Sequence, residues 1–344
     1  MEEHYPEEAH SAVRRRVKTT FQSLTVRNYR LFATGQLVKL IGVWVMFVAQ
    51  DWLVLGLSGD SATALGIVTA LQFTPVLLLT LIGGALADRY DKRMILLVAN
   101  AVWSFLAILL AILVVTDVVK LWHVYVLAMA LGTASAIETP VRQSFVSELV
   151  GNSLLPNALS LSGAVFNTAR IIGPAVAGAA IALIGLGPTF IVATMAVIAP
   201  MVSLTRMRAS ELYRAPLPPR GQRERAKVLD GLRYTWRRSD LVMAMALVTV
   251  VATAGFNYQI TLPLVSKVVH NTGAASFGLL ATTFAVGSLV GALSGSWRRQ
   301  RPSAYLVAGA ALGFGLFSVL VGIASSYWLV TLLLLPTGFF AIFF

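Results

Sequence analysis

Apolar runs of about 20 residues recur along this 344-residue chain, and each is long enough to cross roughly 30 Å of hydrocarbon as a helix. Bounded by Gly, Pro and charged turn signals, they fall at 31–57, 64–87, 94–116, 121–140, 157–184, 188–205, 241–263, 276–297, 304–324 and 328–344. A soluble domain has no use for so many, and with 57% hydrophobic against 12% charged residues the chain is far too apolar to be one. The expected fold class is an all-α membrane protein, a helical bundle of about ten transmembrane helices. The first 30 residues are polar and mixed in charge, and the run that follows is too long for a signal peptide, so it is expected to remain as a span.

Charge supplies the orientation. All but four of the 27 Lys and Arg residues lie in the N-terminal tail or in loops on the same side as that tail. The exceptions are Lys120 and Lys267 in opposite loops, and Lys39 and Arg170 within spans. Cytoplasmic loops of membrane proteins are enriched in cations, which places the N-terminus in the cytoplasm of a multi-pass protein of the cell inner (plasma) membrane. The same scatter explains the net charge of +12 without nucleic acid, because no binding module surrounds the basic residues. Cysteine is absent, and His4, His10, His123 and His270 fall in the tail or loops, so neither a metal site nor a cofactor is expected. The spans hold no paired catalytic His, Ser or Cys, which argues against an intramembrane enzyme.

The organisation read from these runs is a cytoplasmic tail at 1–30, a six-helix bundle at 31–205, a cytoplasmic linker at 206–240 and four helices of an incomplete second bundle at 241–344. The linker opens with Pro216, Pro218 and Pro219 and continues as a helix-compatible basic run from Glu224 to Arg238, suited to lie on the lipid surface. The final run stops inside apolar sequence at Phe344, and a twelve-span fold would need two further helices.

An internal repeat relates the two halves. The loop after the second run starts at Gly84 and carries Asp88, Arg89, Asp91, Lys92 and Arg93; six runs later, Gly291, Gly295, Arg298 and Arg299 follow the same order. Two similar bundles of parallel topology suit a transporter that rocks about a midplane site. Here the chain resembles the major facilitator superfamily, whose signature after span two is Gly-x-x-x-Asp-Arg-x-Gly-Arg-Arg. Gly84, Asp88, Arg89, Lys92 and Arg93 match it, with Asp91 in place of the second glycine. Trp52, the stretch from Thr139 to Val146 and the stretch from Asn167 to Pro174 resemble the subgroup of enterobactin exporters and transmembrane secretion effectors. The resemblance implies a twelve-span fold, of which about ten spans are present here, and a monomer in the lipid bilayer that exports a small molecule such as a drug, siderophore or secondary metabolite, with protons as the coupling partner. An importer of the same fold and a non-transporting membrane scaffold are the alternatives.

Arg170 lies deepest among the charges, near the middle of the fifth run. A bilayer-centre arginine costs about 2.5–3.5 kcal/mol even on insertion scales, so it must face protein or water. Asn167 and Pro174 share its helix face. Gly173, Pro174 and Gly178 resemble the superfamily's span-five exporter motif, Gly-Pro-x-x-Gly-Gly, in an imperfect form that suits a hinge or close packing. Asp51, beside Gln50 in the first run, sits where a carboxylate either exchanges protons as its hydration changes or is simply wetted from an outer cavity. Lys39 is expected to snorkel toward the cytoplasmic end. By resemblance, Asp88 would latch the two bundles, with Glu138 or Arg142 completing a charge network. Asn257, Tyr258 and Gln259 are polar enough to line a cavity, and Gly287, Gly291 and Gly295 read as a helix-packing stripe.

Overall fold

The computed structural model describes residues 21–213, 236–238, 242, 258–296 and 304–343. Within them the regular structure is helical throughout. A short 3-10 turn at Gln22–Thr25 leads into α1 (Arg27–Ser58), followed by α2 (Ala62–Ala87), α3 (Lys92–Val115), α4 (Leu121–Ile184) and α5 (Leu186–Arg206). The later part contains α6 (Tyr258–Leu264), which runs into a π-turn at Val265–Val269, then α7 (Ala274–Ser296), α8 (Ala304–Ile323) and α9 (Tyr327–Phe343). The seventh expected run, 241–263, and the linker lie largely outside the described residues.

Five helices of the first half and α7 are long and apolar enough to span a membrane, and shorter apolar stretches occupy Ile260–Val269, Gly309–Ile323 and Tyr327–Phe343. Their outer faces agree with that environment. Leu77 and Leu183 are 82% and 83% exposed, which water would penalise and lipid tails would not.

The fourth and fifth expected runs are joined in the structure, and the loop expected between them at 141–156 is helical. Val141, Phe145 and Leu149 recur every fourth residue and bury against Tyr29 and Phe32, so one apolar stripe carries the helix past the polar residues around it. Averaged hydropathy hid that stripe. The turn falls instead on Gly151, whose φ of 69° and ψ of 178° are open essentially to glycine alone. The 64-residue α4 is thereby bent into two limbs, 121–150 and 152–184, each long enough to cross the bilayer.

In the first half, α1 packs on both α4 and α5, α2 on α4, and α3 on α4 and α5. The end that bears Arg27, Arg93 and Arg206 is here termed the basic end, and the end bearing Asp60 and Lys267 the far end. At the basic end, an amide clamp closes the ring: Asn28 Nδ2 donates to the Arg208 carbonyl (2.9 Å), and the Arg208 N–H donates back to Asn28 Oδ1 (3.1 Å). The Tyr29 hydroxyl donates to the Ala158 carbonyl at 2.7 Å. Among the described residues, the buried cluster at this end draws on the first half alone, from Tyr29 to Met207.

The second cluster joins the halves, packing Leu53 and Val54 of α1 and Ala177 of α4 with Leu262, Phe277, Leu280 and Leu334. Its tightest point is the crossing of α4 and α7 at Gly178 and Gly278. A Cβ on Gly178 would stand 2.8 Å from the Ala274 carbonyl, and one on Gly278 would stand 2.5 Å from the Pro174 carbonyl. The stripe on α7 is also a packing surface: side chains at Gly287 or Gly291 would strike the Leu335 or Phe339 carbonyls of α9.

Within the first half the closest approach is Gly132 of α4 to α2, where a Cβ would lie 2.1 Å from the Gln72 carbonyl. Gly132→Val should therefore cost about 1–3 kcal/mol through overpacking. The check is thermal unfolding of the detergent-purified protein followed by fluorescence-detected size exclusion, with an unchanged midpoint counting against this packing.

Candidate functional site

Two groups of charges lie inside the spans, and they are treated oppositely. The first is fully partnered. Lys39 of α1 pairs with Glu138 of α4 at 3.0 Å and donates to Asn100 Oδ1 of α3 at 2.8 Å; Arg142, one turn on, reaches Glu138 at 3.2 Å. Lys39 and Glu138 are 4% and 5% exposed, so the expectation that Lys39 snorkels is corrected. Its ammonium turns inward because a carboxylate and an amide on neighbouring helices replace water more cheaply than a long detour along the helix.

The second group is unpartnered. Asp51 of α1 and Arg170 of the second α4 limb line one cavity of about 170 Å³ between the halves. Among the described residues neither side chain has an ion-pair or hydrogen-bond partner, and Arg170 Nε is buried with its proton unused. Around them stand the rings of Trp44, Phe47, Tyr258, Phe277 and Phe284, with Pro174 beside them. Tyr258 stacks on Phe284 with centroids 4.6 Å apart, and its hydroxyl donates to Ser318 Oγ at 2.9 Å.

Beyond the cavity, contacts bridge the two halves at the far end. Phe277 stacks on Trp52 at 6.5 Å, the Lys267 ammonium sits 5.3 Å over the Trp52 ring, and the same ammonium pairs with Asp60 at 2.6 Å. These contacts all run from α1 or the turn after it to α6, α7 or the turn between them. Nearer the middle, the Thr282 hydroxyl of α7 donates to the Ile171 carbonyl at 3.2 Å.

A larger hollow of about 1150 Å³ lies between α3 and the first limb of α4. Its walls include the exposed apolar side chains of Met94, Val98, Val126 and Met129, which makes it largely part of the lipid-facing surface, with Asp91 and Arg93 also in its lining.

The loop motif divides by task. Asp91 is the N-cap of α3, its Oδ1 accepting from the Met94 N–H at 3.2 Å, which explains a carboxylate where the signature has glycine. Lys92 forms an ion pair with Glu148 of α4. Arg93 donates to the Leu204 and Thr205 carbonyls at 3.0 and 3.3 Å, satisfying the last turn of α5 with a cation. Asp88 and Arg89 are exposed at the basic end, and a Cβ on Gly84 would meet open space.

A family model described as "Transmembrane secretion effector" matches residues 18–342. The chain belongs to that family. Among curated relatives it is 25% identical over 272 residues to the staphyloferrin A transporter of Staphylococcus aureus, covering 77% of this chain and 66% of that protein. It is 26% identical over 260 residues to the multidrug efflux pump Tap of Mycolicibacterium fortuitum, covering 73% and 62%. The chain thus spans just under two thirds of the length of these relatives. Its fold is similar to the crystal structure of a bacterial homolog of the human lysosomal transporter Spinster, in an inward-facing and occupied conformation, with a TM-score of 0.66 at 13% identity over 92% of this chain and 72% of that one. The all-α, major facilitator type of bundle expected from the sequence is the fold observed.

For this secretion-effector chain, the structure brings together some of the expected residues and separates others. Asp51, Arg170 and Pro174 share the cavity. Gln50 turns away from it, its Nε2 donating to Gln72 Oε1 of α2 at 3.1 Å. Asn167 donates to the Gly163 carbonyl of its own helix at 2.9 Å. Gly173 meets α1, where its Cβ would stand 2.3 Å from Trp44 Cβ, and Gly178 meets α7, so the span-five motif faces two helices at once. Glu138 and Arg142 join a network with Lys39, not with Asp88. Asn257 lies outside the described residues, as does the side chain of Gln259. Of the five rings, sequence reading found Tyr258 and missed the other four, because aromatic residues on distant spans look like ordinary core until the fold makes them converge.

Removing one member of the buried Lys39–Glu138 pair leaves an unanswered charge. Glu138→Gln should destabilise by about 3–5 kcal/mol, whereas the double change Lys39→Met with Glu138→Leu should recover most of that loss. Equal melting of the single and double variants would show that the pair is not the source of the cost.

Proposed function

We propose that the protein exports a small molecule across the plasma membrane by alternating access, exchanging it against protons at Asp51. The carrying observation is the cavity between the halves, in which Asp51 and Arg170, both of the first half, face the second half without partners while ionic and aromatic contacts bridge the halves at the far end. Unpartnered charges at membrane depth mark ion and substrate pathways, because nothing else offsets their desolvation. With the N-terminus in the cytoplasm, the far end is the outer gate and the cavity takes substrate from inside. Residues 31–205 act as one rocking bundle and 241–344 supply the second, joined by the 206–240 linker. The protein works as a monomer.

Export is the direction supported by the Gly173, Pro174 and Gly178 motif and by a relative named as an efflux pump. A stepwise cycle follows from electrostatics. A proton on Asp51 neutralises it, changes the field around Arg170 and releases bound substrate; deprotonation restores the site. Asn167, one turn from Arg170, and Asn257 and Gln259 near α6 belong to the same pathway. Asp88 and Arg89, exposed at the basic end, form the latch when the inner side closes.

Cells expressing the protein should accumulate less of an amphipathic fluorescent dye, and Arg170→Ala should abolish that difference while the protein stays in the membrane. Asp51→Asn should leave efflux insensitive to a proton-gradient collapser; efflux that still collapses with the gradient would remove Asp51 from coupling. Because the chain has no cysteine, Asp60→Cys with Lys267→Cys isolates one thiol pair at the far end. Joining the two with a short bifunctional reagent should stop transport, and cleavage of the reagent should restore it. Continued efflux with the ends joined would exclude opening there.

A further inference from the structure

The cavity assigned above to the substrate also constrains what the substrate is, and the following rests on that assignment. Asp51 and Arg170 are of opposite sign, yet they do not pair across the space they share, and the walls between them are aromatic. Had the two charges met, the site would be electrically satisfied when empty and an apolar guest would suffice. As arranged, a guest with only a negative group answers Arg170 and leaves Asp51 without a countercharge, so that the carboxylate stays bare or takes up the very proton that drives release. A guest with only a positive group does the reverse. Neighbouring polar groups do not fill the gap, since the Gln50 amide is engaged with Gln72 and the Asn167 amide with its own helix.

We infer that the ligand is a dipolar amphipathic molecule, with an anionic group on Arg170, a cationic group on Asp51 and a flat apolar body between the rings of Trp44, Tyr258 and Phe277. The guanidinium supplies a planar fork suited to a carboxylate, and its unused Nε proton is one half of a two-bond contact. The ring faces favour a cationic group near the Asp51 side as well as flat stacking. Phe277 gives the guest a route to the gate, because the same ring that lines the cavity stacks on Trp52 under Lys267.

The test uses one scaffold in three charge states: tryptophan (dipolar), its ethyl ester (cationic) and N-acetyltryptophan (anionic). Each is titrated by calorimetry at about pH 6.5, where a free α-amine stays protonated, into the full chain reconstituted in lipid nanodiscs. Tryptophan should bind at least about tenfold more tightly than either single-charge form, because each of those leaves one buried charge unanswered. In Arg170→Gln, tryptophan should weaken to the level of the ester while the ester is unchanged. In Asp51→Asn, it should weaken to the level of N-acetyltryptophan while that anion is unchanged. A purely structural role for either residue would depress all three ligands alike, and that result overturns the proposal. So does equal binding of the three forms to the unaltered chain, or no saturable binding of any; either result decides the matter even if a variant fails to fold. Dye efflux that persists in the absence of such binding sinks the dipolar class and leaves export standing, whereas loss of efflux by the unaltered chain sinks export itself.

Discussion

Hydrocarbon offers no partner to a charge, and the interior of this bundle is arranged around that fact. An ammonium or carboxylate within a span must be matched by a neighbouring helix or opened to a water-filled space, because leaving it bare costs several kcal/mol. The chain uses both solutions. Lys39, Glu138 and Arg142, assisted by Asn100, consume one another and tie α1, α3 and α4 together. Asp51 and Arg170 face a shared cavity without partners among the described residues, and the proposed substrate site is built on them. Similar residue types are thus paired in one place and left open in another, and what separates them is whether the opposite charge stands within reach.

The same economy shapes the contacts between the halves. At the basic end the buried cluster, the Asn28–Arg208 clamp and the Arg93 caps all belong, among the described residues, to the first half. Toward the far end the halves share a cluster, and Gly178 and Gly278 bring α4 and α7 into backbone contact. In the rocking motion proposed above, the halves would tilt about this shared contact. The Asp60–Lys267 pair and the Trp52–Phe277 stack sit where such a tilt would separate them.

Much of this was legible along the chain. The spans follow from run length against bilayer thickness, and the repeated Gly84 and Gly291 loops announce the duplicated bundle. The depth of Arg170 and Asp51 marked both as needing an explanation. The joined α4 was not legible, because the amphipathic stripe of Val141, Phe145 and Leu149 is diluted by polar neighbours when hydropathy is averaged. Nor was the fate of Lys39, whose snorkelling and buried positions are equally reachable by a long flexible stem.

By itself, then, the sequence determined which segments are apolar enough to enter the membrane and which charges lie within them. These properties depend on local composition and on the energy of moving one segment from water into lipid. Only the tertiary structure decided which buried charges are answered. Pairing depends on distances of about 3 Å between side chains on different helices, and no spacing along one helix specifies them. It made Lys39 part of the scaffold and left Arg170 with an unused proton facing five aromatic rings.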